Sequence, residues 1–238
     1  MSQNSTILTQ AILLDVFEYK QNEFIVSFLD KKGVFSLFAQ GLNKNDSKNK
    51  YNCIIGSLVN VEYFKYQGKL TNLSGKMKKV KALNFFETDT IEQKKHLINL
   101  QNILKKFSWE NDLIDIYDKL IKVWNAEKFD YIYTIILLEF LKKSGFNLNI
   151  NSCVFCNSHF VCSFSFEAGG FVCKEHLSKI SAFKNNNIYF ECFWNYLNGH
   201  IYYVNNTDDS KNIIFLKRLF IFYKNNGFYI SFPYKILT

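Results

Sequence analysis

Three cysteines and one histidine stand at a spacing typical of a structural metal site. Cys153 and Cys156 are separated by two residues, sixteen residues follow, and Cys173 and His176 repeat the two-residue spacing. Two intervening residues let one tight turn direct both side chains at a single ion. Three thiolates and one imidazole complete a tetrahedron and leave no open position for a catalytic water. The spacing therefore predicts one structural Zn²⁺ ion, bound by Cys153, Cys156, Cys173 and His176.

The stretch between the two ligand pairs is expected to form a β-hairpin that brings the pairs together. The run Phe164–Phe166 alternates aromatic and polar residues, and the pair Gly169–Gly170 supplies a turn. Cys162 and His159 lie inside this stretch and are alternative ligands. A redox role is disfavoured because no βαβ pattern surrounds the paired cysteines. Two further cysteines are expected to be buried thiols, Cys53 and Cys192.

The second chemical feature is an excess of lysine between Lys31 and Lys81. This segment holds eleven lysines and two acidic residues, and the formal charge of the whole chain is +8. Arg218 is the single arginine, so part of the lysine excess reflects coding bias, and the position of the charge informs more than its amount. Lysines neutralise phosphates and the interleaved aromatic rings stack on bases, which indicates nucleic-acid binding. The lysines predicted to contact DNA are Lys44, Lys48, Lys50, Lys65, Lys69, Lys76, Lys78 and Lys79.

The lysines lie in a region of short, β-branched and aromatic runs with turn residues between them. Five strands in about 75 residues, without helical periodicity, predict a small barrel of the OB type. The lysines from Lys76 to Lys81 are predicted to follow the fifth strand. The predicted strands are Ile7–Phe17, Glu23–Leu29, Val34–Ala39, Leu58–Tyr66 and Lys69–Gly75.

After Ala82 the apolar residues recur at helical spacing. The third predicted helix is apolar on nearly all sides, which indicates burial, and Gly145 is placed to end it. The predicted helices are Ile91–Phe107, Asn111–Trp124, Phe129–Lys143, Asn187–Leu197 and Lys211–Asn225. We therefore predict an α+β chain: an N-terminal OB-fold five-stranded β-barrel, followed by an all-helical domain carrying a zinc knuckle. The DNA-binding domain is expected over residues 1–81 and the helical domain over 82–238, with the zinc-binding insert at about 152–181.

Sequence signatures of catalysis are missing. The chain contains no P-loop, GxGxxG, HExxH or GxSxG motif, and the carboxylate pairs Asp112/Asp115 and Asp208/Asp209 are best interpreted as surface charge. We therefore expect a protein that is not an enzyme. The polar N-terminus lacks the features of a signal peptide, and the apolar run Ile132–Leu141 is shorter than the roughly 20 residues of a membrane span. A soluble, cytoplasmic protein with reduced cysteines is expected.

The order of these parts resembles the RecO recombination-repair proteins of bacteria. The hairpin Asp30–Val34, followed by Phe38–Gly41 and a basic loop, is similar to the strand–turn–strand of that family. The stretch Leu137–Phe146 resembles its leucine-rich helix ahead of the knuckle. The most specific segment is Phe164–Cys173, an aromatic-Ser-x-Glu-x-Gly-Gly-x-x-Cys run. His176 stands where many members of the family have cysteine, an exchange that zinc tolerates.

The resemblance implies a recombination mediator of the RecF pathway, associated with the nucleoid. Such a protein binds single- and double-stranded DNA, anneals complementary strands and, with RecR, helps to load RecA onto DNA coated by single-strand-binding protein. The barrel is then the DNA site, and the helical domain contacts the acidic C-terminal tail of single-strand-binding protein. Two other functions stay open on the residues alone: a zinc-stabilised RNA-binding protein and a protein-interaction adaptor with an OB fold. An unrecognised nuclease would show cleavage that depends on divalent cations.

Overall fold

A computed structural model of the chain describes residues 6–66, 72–86, 88, 90–106, 113–122, 128–146, 148–180 and 186–228. These residues form two compact units, one up to residue 122 and one from residue 128 onward. The predicted domain boundary after residue 81 falls inside the fifth strand of the first unit. Among the described helices, we find none with both the length and the apolar character needed to cross a membrane.

The first unit is built on a closed five-stranded barrel, which confirms the predicted OB-like fold. Neighbouring strands follow the order β1-β2-β3-β5-β4, and β4 returns to β1 to close the sheet. All pairs are antiparallel except β3 with β5, which run parallel over a short contact. The strands are β1 (Thr6–Lys20), β2 (Glu23–Asp30), β3 (Gly33–Gln40), β4 (Leu58–Lys65) and β5 (Gly75–Asn84).

Strand β1 closes the barrel because it is long enough to pair with two neighbours. Its first half pairs with β4 and its second half with β2, and a register shift between Leu13 and Asp15 bends the strand where the two halves meet. The loop before β4 holds this bend, since Leu13 N–H donates to the Ser57 carbonyl (2.9 Å) and Gly56 N–H to the Leu13 carbonyl (2.7 Å). A bulge of this kind increases local twist and curvature, as barrel closure requires.

Two helices of the first unit pack at this bend, α1 (Ile91–Lys106) and α2 (Leu113–Lys122). Gly56 has a φ of +82°, and a Cβ there would lie 2.5 Å from Leu97 Cδ1 of α1, so only glycine fits the contact. From α2, the buried Tyr117 hydroxyl donates to the Gly56 carbonyl at 2.9 Å. Both helices were predicted, and five residues of their predicted spans lie outside the described residues: Phe107, Asn111, Asp112, Val123 and Trp124.

The barrel encloses an apolar core drawn from all five strands. Alternate residues point inward along the regular parts of the strands, as the period of two requires. Burial of each large side chain stabilises the fold by about 1.5–3 kcal/mol. The core residues are Ala11, Leu13, Phe24, Val26, Phe28, Leu37, Ala39, Leu42, Val59, Val61, Tyr63, Met77 and Val80.

The first four strands agree with the predictions, but the fifth was wrong. The predicted strand Lys69–Gly75 ends where β5 begins, and residues 67–71 lie outside the described part of the chain. In β5 the core residues Met77 and Val80 are three positions apart, because Lys78 is the extra residue of a β-bulge. The bulge breaks the alternation by which strands are predicted, so a lysine-rich strand was mistaken for a loop.

The second unit contains four helices and one hairpin in its described part. Helix α3 was predicted with these bounds and is buried along most of its length, as expected from its apolar sequence. Helix α5 was missed, because its seven residues are too few to display a clear period. The elements are α3 (Phe129–Lys143), β6 (Val161–Ser165), β7 (Gly170–Cys173), α4 (Asn186–Leu197), α5 (His200–Asn206) and α6 (Asp209–Asn225).

The β6–β7 hairpin is held in the second unit by aromatic contacts. The Phe164 ring lies 4.8 Å from Phe193 of α4, and the Phe166 ring lies 5.3 Å from Phe222 of α6, between centroids. At the turn, a Cβ on Gly170 would lie 2.2 Å from the Asn149 carbonyl oxygen. Glycine therefore lets residue 149 run beside the hairpin, directly before the first cysteine pair.

Candidate metal centre and nucleic-acid interface

The four predicted metal ligands come from two separate turns that the hairpin brings together. Cys153 and Cys156 lie in a tight turn in which Asn157 N–H donates to the Cys153 carbonyl at 2.9 Å. Cys173 ends β7, and His176 follows in a short 3-10 helix, Lys174–Lys179. The predicted hairpin is thus the element that aligns the two ligand pairs.

The four ligand atoms lie about as close together as tetrahedral coordination of one ion requires. One atom from each residue lies within 4.8 Å of the other three. The Cys156 and Cys173 sulfurs are 3.7 Å apart, and His176 Nδ1 lies 3.8 Å from the Cys153 sulfur and 3.3 Å from that of Cys173. Zinc bonds of about 2.3 Å to sulfur and 2.0–2.1 Å to nitrogen imply separations of roughly 3.5–3.8 Å in a tetrahedron. The cluster can hold a metal ion with little adjustment.

The electrostatics of the cluster favour a bound cation. Burial raises the pKa of the Cys153 thiol, but N–H groups of Cys173, Phe155 and Cys156 donate to its sulfur and lower the pKa to about 6. For Cys156 the Ser158 N–H lowers the pKa, yet desolvation and the neighbouring thiols raise it overall. Several thiolates this close repel one another, and a divalent cation removes that repulsion. The site is prepared for thiolates and needs positive charge to hold them together.

The alternative ligands are excluded by their positions. Among the described residues, the cluster that can hold an ion consists of the four predicted ligands and includes neither Cys162 nor His159. His159 Nδ1 instead lies 3.2 Å from the Asn151 carbonyl. Cys192 is buried as the sequence predicted, whereas Cys53 is half-buried and packs against the barrel core. Desolvation raises the pKa of both thiols to about 12, as expected for unreactive thiols.

The predicted DNA-contacting lysines lie on three neighbouring parts of the barrel. Lys44, Lys48 and Lys50 are in the loop after β3, where Lys44 and Lys48 are exposed and Lys50 is half-buried. Lys65 ends β4 and is exposed, and Lys69 lies outside the described residues. The prediction that the others follow the last strand was wrong, since they lie within β5: Lys76, Lys78 and Lys79.

The loop after β3 is fixed against the edge of β5. The Asn49 side chain donates to the Lys78 carbonyl (3.3 Å) and accepts from Val80 N–H (3.0 Å). Further along, the Asn52 side chain accepts from Ala82 N–H at 2.9 Å. These asparagines take the place of a neighbouring strand and satisfy the β5 backbone. The loop lysines and the β5 lysines therefore form one basic surface, here called the barrel lysine surface.

The β-bulge concentrates the charge of this surface. Glu62 of β4 pairs with Lys79 and Tyr63 with Met77, so that both Lys78 and Lys79 face solvent in succession. The Lys78 ammonium lies 2.6 Å from the Glu62 carboxylate. A regular strand would direct one of two successive lysines into the core, where an unpaired charge is costly. Sequence patterning did not predict this arrangement.

Acidic groups in the second unit have structural roles. Asp208 caps α6 by accepting from the backbone N–H groups of Ser210 and Lys211, which is a usual task for aspartate at a helix start. Its neighbour Asp209 accepts from the Tyr131 hydroxyl. Asp112, of the other predicted pair, lies outside the described residues.

The buried carboxylate of Glu139 was not singled out from the sequence. It accepts hydrogen bonds from the Tyr196 hydroxyl (2.5 Å) and from His200 Nε2 (2.8 Å), and Lys142 lies 3.4 Å away. Desolvation raises the pKa of Glu139, but these partners together lower it to about 2. Its position in an apolar helix was the available signal, because a charge is buried there only with partners.

Comparison with known proteins supports the family resemblance noted in the sequence. The chain is 29% identical over 165 residues to a protein of Mycoplasma mycoides subsp. mycoides SC named DNA repair protein RecO, and 29% identical over 161 residues to its counterpart in Mycoplasma capricolum subsp. capricolum. Each match covers 63% of this chain and 62% of the relative. The chain is thus similar to RecO proteins over about three-fifths of their length.

Two other comparisons add little. No family model matches the chain. Among solved structures, the asparaginyl-tRNA synthetase of Entamoeba histolytica is 12% identical, with a TM-score of 0.30, over 60% of this chain and 32% of that one. A TM-score of this size is too low to indicate a common architecture.

Proposed function

We propose that this chain is a DNA-binding mediator of recombinational repair. It binds single- and double-stranded DNA, anneals complementary strands and, with RecR, helps to load RecA onto DNA coated by single-strand-binding protein. The observation that carries the proposal is the barrel lysine surface on an OB-like barrel, in a chain similar to proteins named for DNA repair. The activity needs no covalent chemistry, so the protein is proposed not to be an enzyme.

Annealing follows from the electrostatics of the barrel lysine surface. Two complementary strands repel through their phosphates, and a protein that neutralises phosphates on one strand lowers the barrier to the approach of the other. Lys44, Lys48, Lys76 and Lys79 are exposed, so the surface offers several cations at once, and Lys78 beside Lys79 forms an ion pair with Glu62. Lys65, at the end of β4, is proposed to extend this site, and Lys69 is proposed to contact DNA as well.

The second unit is proposed to bind protein partners. An acidic, apolar tail such as that of single-strand-binding protein needs an apolar cleft with a cation beside it. A cleft of about 170 Å³ in this unit is lined by Leu141, Phe146, Phe193 and Tyr196, with Lys142 among its walls. These residues support the proposed interaction with the tail. RecR and, indirectly, RecA are proposed as partners from the family resemblance.

Zinc is the metal proposed for the cluster of three cysteines and His176. It would cross-link the turn of the first cysteine pair to the hairpin, a role in folding rather than in DNA binding. The four protein ligands fill a tetrahedron, and the ligand set leaves no position for substrate. The proposed DNA-repair activity is expected to take place in the cytoplasm, at the nucleoid, where DNA and the protein partners are present.

The decisive experiment measures the annealing rate of two complementary labelled oligonucleotides with the zinc-loaded protein at several salt concentrations. Replacing Lys44, Lys48 and Lys50 together by glutamine should lower the log–log salt slope of single-strand binding by about two, at roughly 0.7 per phosphate contact. The annealing rate should fall with it.

A matched variant controls for net charge. Glutamine at three exposed lysines of the second unit, Lys174, Lys179 and Lys224, removes the same charge and should leave both slope and rate unchanged. If wild-type protein neither binds nor anneals DNA in a salt-dependent way, the proposed function is wrong. Stronger binding of matched RNA strands would instead support the RNA-binding alternative, and cleavage in the presence of divalent cations would indicate a nuclease.

A further inference from the structure

Five residues, one from each strand of the barrel, are lateral partners in a single row. Phe17 of β1 pairs with Ile25 of β2, and Ile25 pairs with Phe38 of β3. Phe38 in turn pairs with Lys76 of β5, and Lys76 with Phe64 of β4. We call this set the aromatic row. The strand pairing alone places its three rings and one lysine side by side around the barrel.

The aromatic row faces away from the barrel core. One neighbour of each row residue along its strand belongs to the core or packs against it, so the row residue points to the opposite side. Phe17 is 59% exposed, and Ile25, Phe38 and Phe64 are half-buried. The core neighbours are Val26, Leu37, Met77 and Tyr63, and the neighbour of Phe17, Val16, packs against the core. Three phenylalanines on the solvent side of a barrel are not needed to fill its interior.

Lysines lie over the rings of this row. Lys76 Nζ is 5.9 Å from the Phe38 centroid, and Lys78 Nζ is 5.6 Å from the Phe64 centroid. Tyr19, 40% exposed, lies edge-on to Phe38 with centroids 6.5 Å apart. Among the described residues, Lys76 has no ion-pair partner, so its charge is available to a ligand. Apolar rings and cations thus alternate on one surface.

We propose that the aromatic row is a stacking platform for the unpaired bases of a single nucleic-acid strand. The proposal rests on the proposed function and adds the class of ligand that the barrel prefers. In a duplex each base is covered on both faces by its neighbours, whereas an unpaired strand offers faces that a ring can contact. A surface built for phosphates alone would need the lysines but not the three rings. The lysines favour a polyanion over an apolar protein segment as the occupant.

The size of the row suits a short stretch of strand. Five adjacent strands span four spacings of about 4.8 Å, or roughly 19 Å along the sheet. An OB fold covers roughly 4–16 nucleotides, and aromatic rings contribute at a few of them. Phe17, Phe38 and Phe64 therefore correspond to a few stacked bases, with Lys76 between two rings at a position for the intervening phosphate.

The test compares normal and abasic strands of the same length and charge. Full-length protein is titrated by fluorescence anisotropy with oligothymidylate of about 15 nucleotides, with an abasic strand of equal length and with the duplex. The variant combines Phe17→Ala with Phe38→Leu and Phe64→Leu, which removes the rings and keeps the half-buried positions apolar. Phe160→Leu is the matched control, because Phe160 is 90% exposed and belongs to the second unit.

Wild-type protein should bind oligothymidylate more tightly than the abasic strand. The variant should lose at least about 5- to 150-fold in affinity for oligothymidylate, the effect of one stacked base, with little change for the abasic strand and an unchanged salt slope. Equal losses on both strands, or no loss, would overturn the proposal. Should the combined variant fail to fold, Phe17→Ala alone and the wild-type comparison decide, because equal wild-type affinities for normal and abasic strands also refute stacking.

This design separates the two proposals. Salt-dependent binding that ignores the bases would refute the stacking platform and leave the proposed DNA-binding function intact. Absence of salt-dependent binding by wild-type protein would refute the proposed function itself. If the aromatic row binds a protein segment instead, removing the bases from the DNA strand would not change the affinity. That outcome is the one that refutes the stacking platform and leaves the DNA-binding function intact.

Discussion

The two compact units arrange their main groups of ionisable side chains differently. In the first, the barrel lysine surface presents many separate cations outside an apolar core. In the second, the four metal ligands form one set, and the buried carboxylate of Glu139 is held by its own hydrogen-bond partners. Separate exposed charges are screened and act additively, whereas charges within a set depend on every partner. We therefore expect graded effects of mutation in the first unit and abrupt effects in the second.

The largest expected effect is the loss of a metal ligand. Cys173→Ser should abolish stoichiometric zinc binding, and with it an apparent binding free energy of about 10–16 kcal/mol. The β6–β7 hairpin should then become sensitive to proteolysis between its strands. Zinc content per chain and limited proteolysis measure these changes. The salt slope of DNA binding should stay that of the wild type, because the barrel has its own core.

His176→Cys provides the matched control, because four thiolates also bind zinc in a tetrahedron. That variant should retain one zinc per chain, whereas His176→Ala should lose it. If the metal-free protein binds DNA with a reduced salt slope, the expectation that the two units behave independently is wrong. The metal cluster would then affect DNA binding by the first unit. If Cys173→Ser retains zinc, the four ligands are not all required to bind the ion.

A smaller effect is expected from the buried carboxylate of Glu139. The pKa of Glu139 is about 2 against an ordinary value of 4.5, because Tyr196, His200 and Lys142 stabilise the carboxylate. A carboxyl whose pKa is lowered in the folded state stabilises the fold above the unfolded pKa. That stabilisation, about 3 kcal/mol here, is lost as the pH falls from about 4.5 towards 2.

Glu139→Gln should remove this pH dependence and lower the free energy of unfolding at neutral pH. Urea unfolding of wild type and variant between pH 7 and pH 3 measures the difference, which should shrink as the pH falls. Acid also protonates the metal ligands, but in both proteins alike, so the difference between the two isolates Glu139. If the difference in unfolding free energy between wild type and variant stays constant with pH, the partners of Glu139 do not stabilise its ionised form.

The contrast between the units also explains what the sequence could predict. The metal ligands follow from spacing along the chain, because each pair is local and the hairpin between the pairs has its own turn signal. The barrel strands up to β4 follow from alternation. The strand β5 does not, because the bulge at Lys78 shifts the period and four lysines conceal the core residues Met77 and Val80.

Contacts between distant segments could not be read from the sequence. Asn49 and Asn52 look like ordinary loop residues, yet they complete the β5 edge and join the loop lysines to the strand lysines. The aromatic row likewise exists only through strand register, since its five members are scattered from Phe17 to Lys76. Register is set by the closed sheet, which single strands do not encode.

The smallest expected effect separates two neighbouring lysines of β5. Lys78 is already neutralised by Glu62 at 2.6 Å, whereas Lys76 faces solvent beside the Phe38 ring. Lys76→Gln should therefore lower the salt slope of single-strand binding by about 0.7, the share of one phosphate contact, and Lys78→Gln by less. Anisotropy titrations at several salt concentrations resolve the two slopes.

Glu62→Gln is the control for this pair of variants. It should free Lys78 from its ion pair and strengthen DNA binding. When Lys78→Gln is added to Glu62→Gln, the salt slope should fall by as much as it does for Lys76→Gln in the wild-type protein. Equal slopes for the two single variants in the wild-type background would show that the ion pair opens freely when DNA binds. Each lysine of the barrel lysine surface would then contribute equally to DNA binding, whether or not it has an ion-pair partner. In the second unit, by contrast, the effect of each charged group depends on its partners.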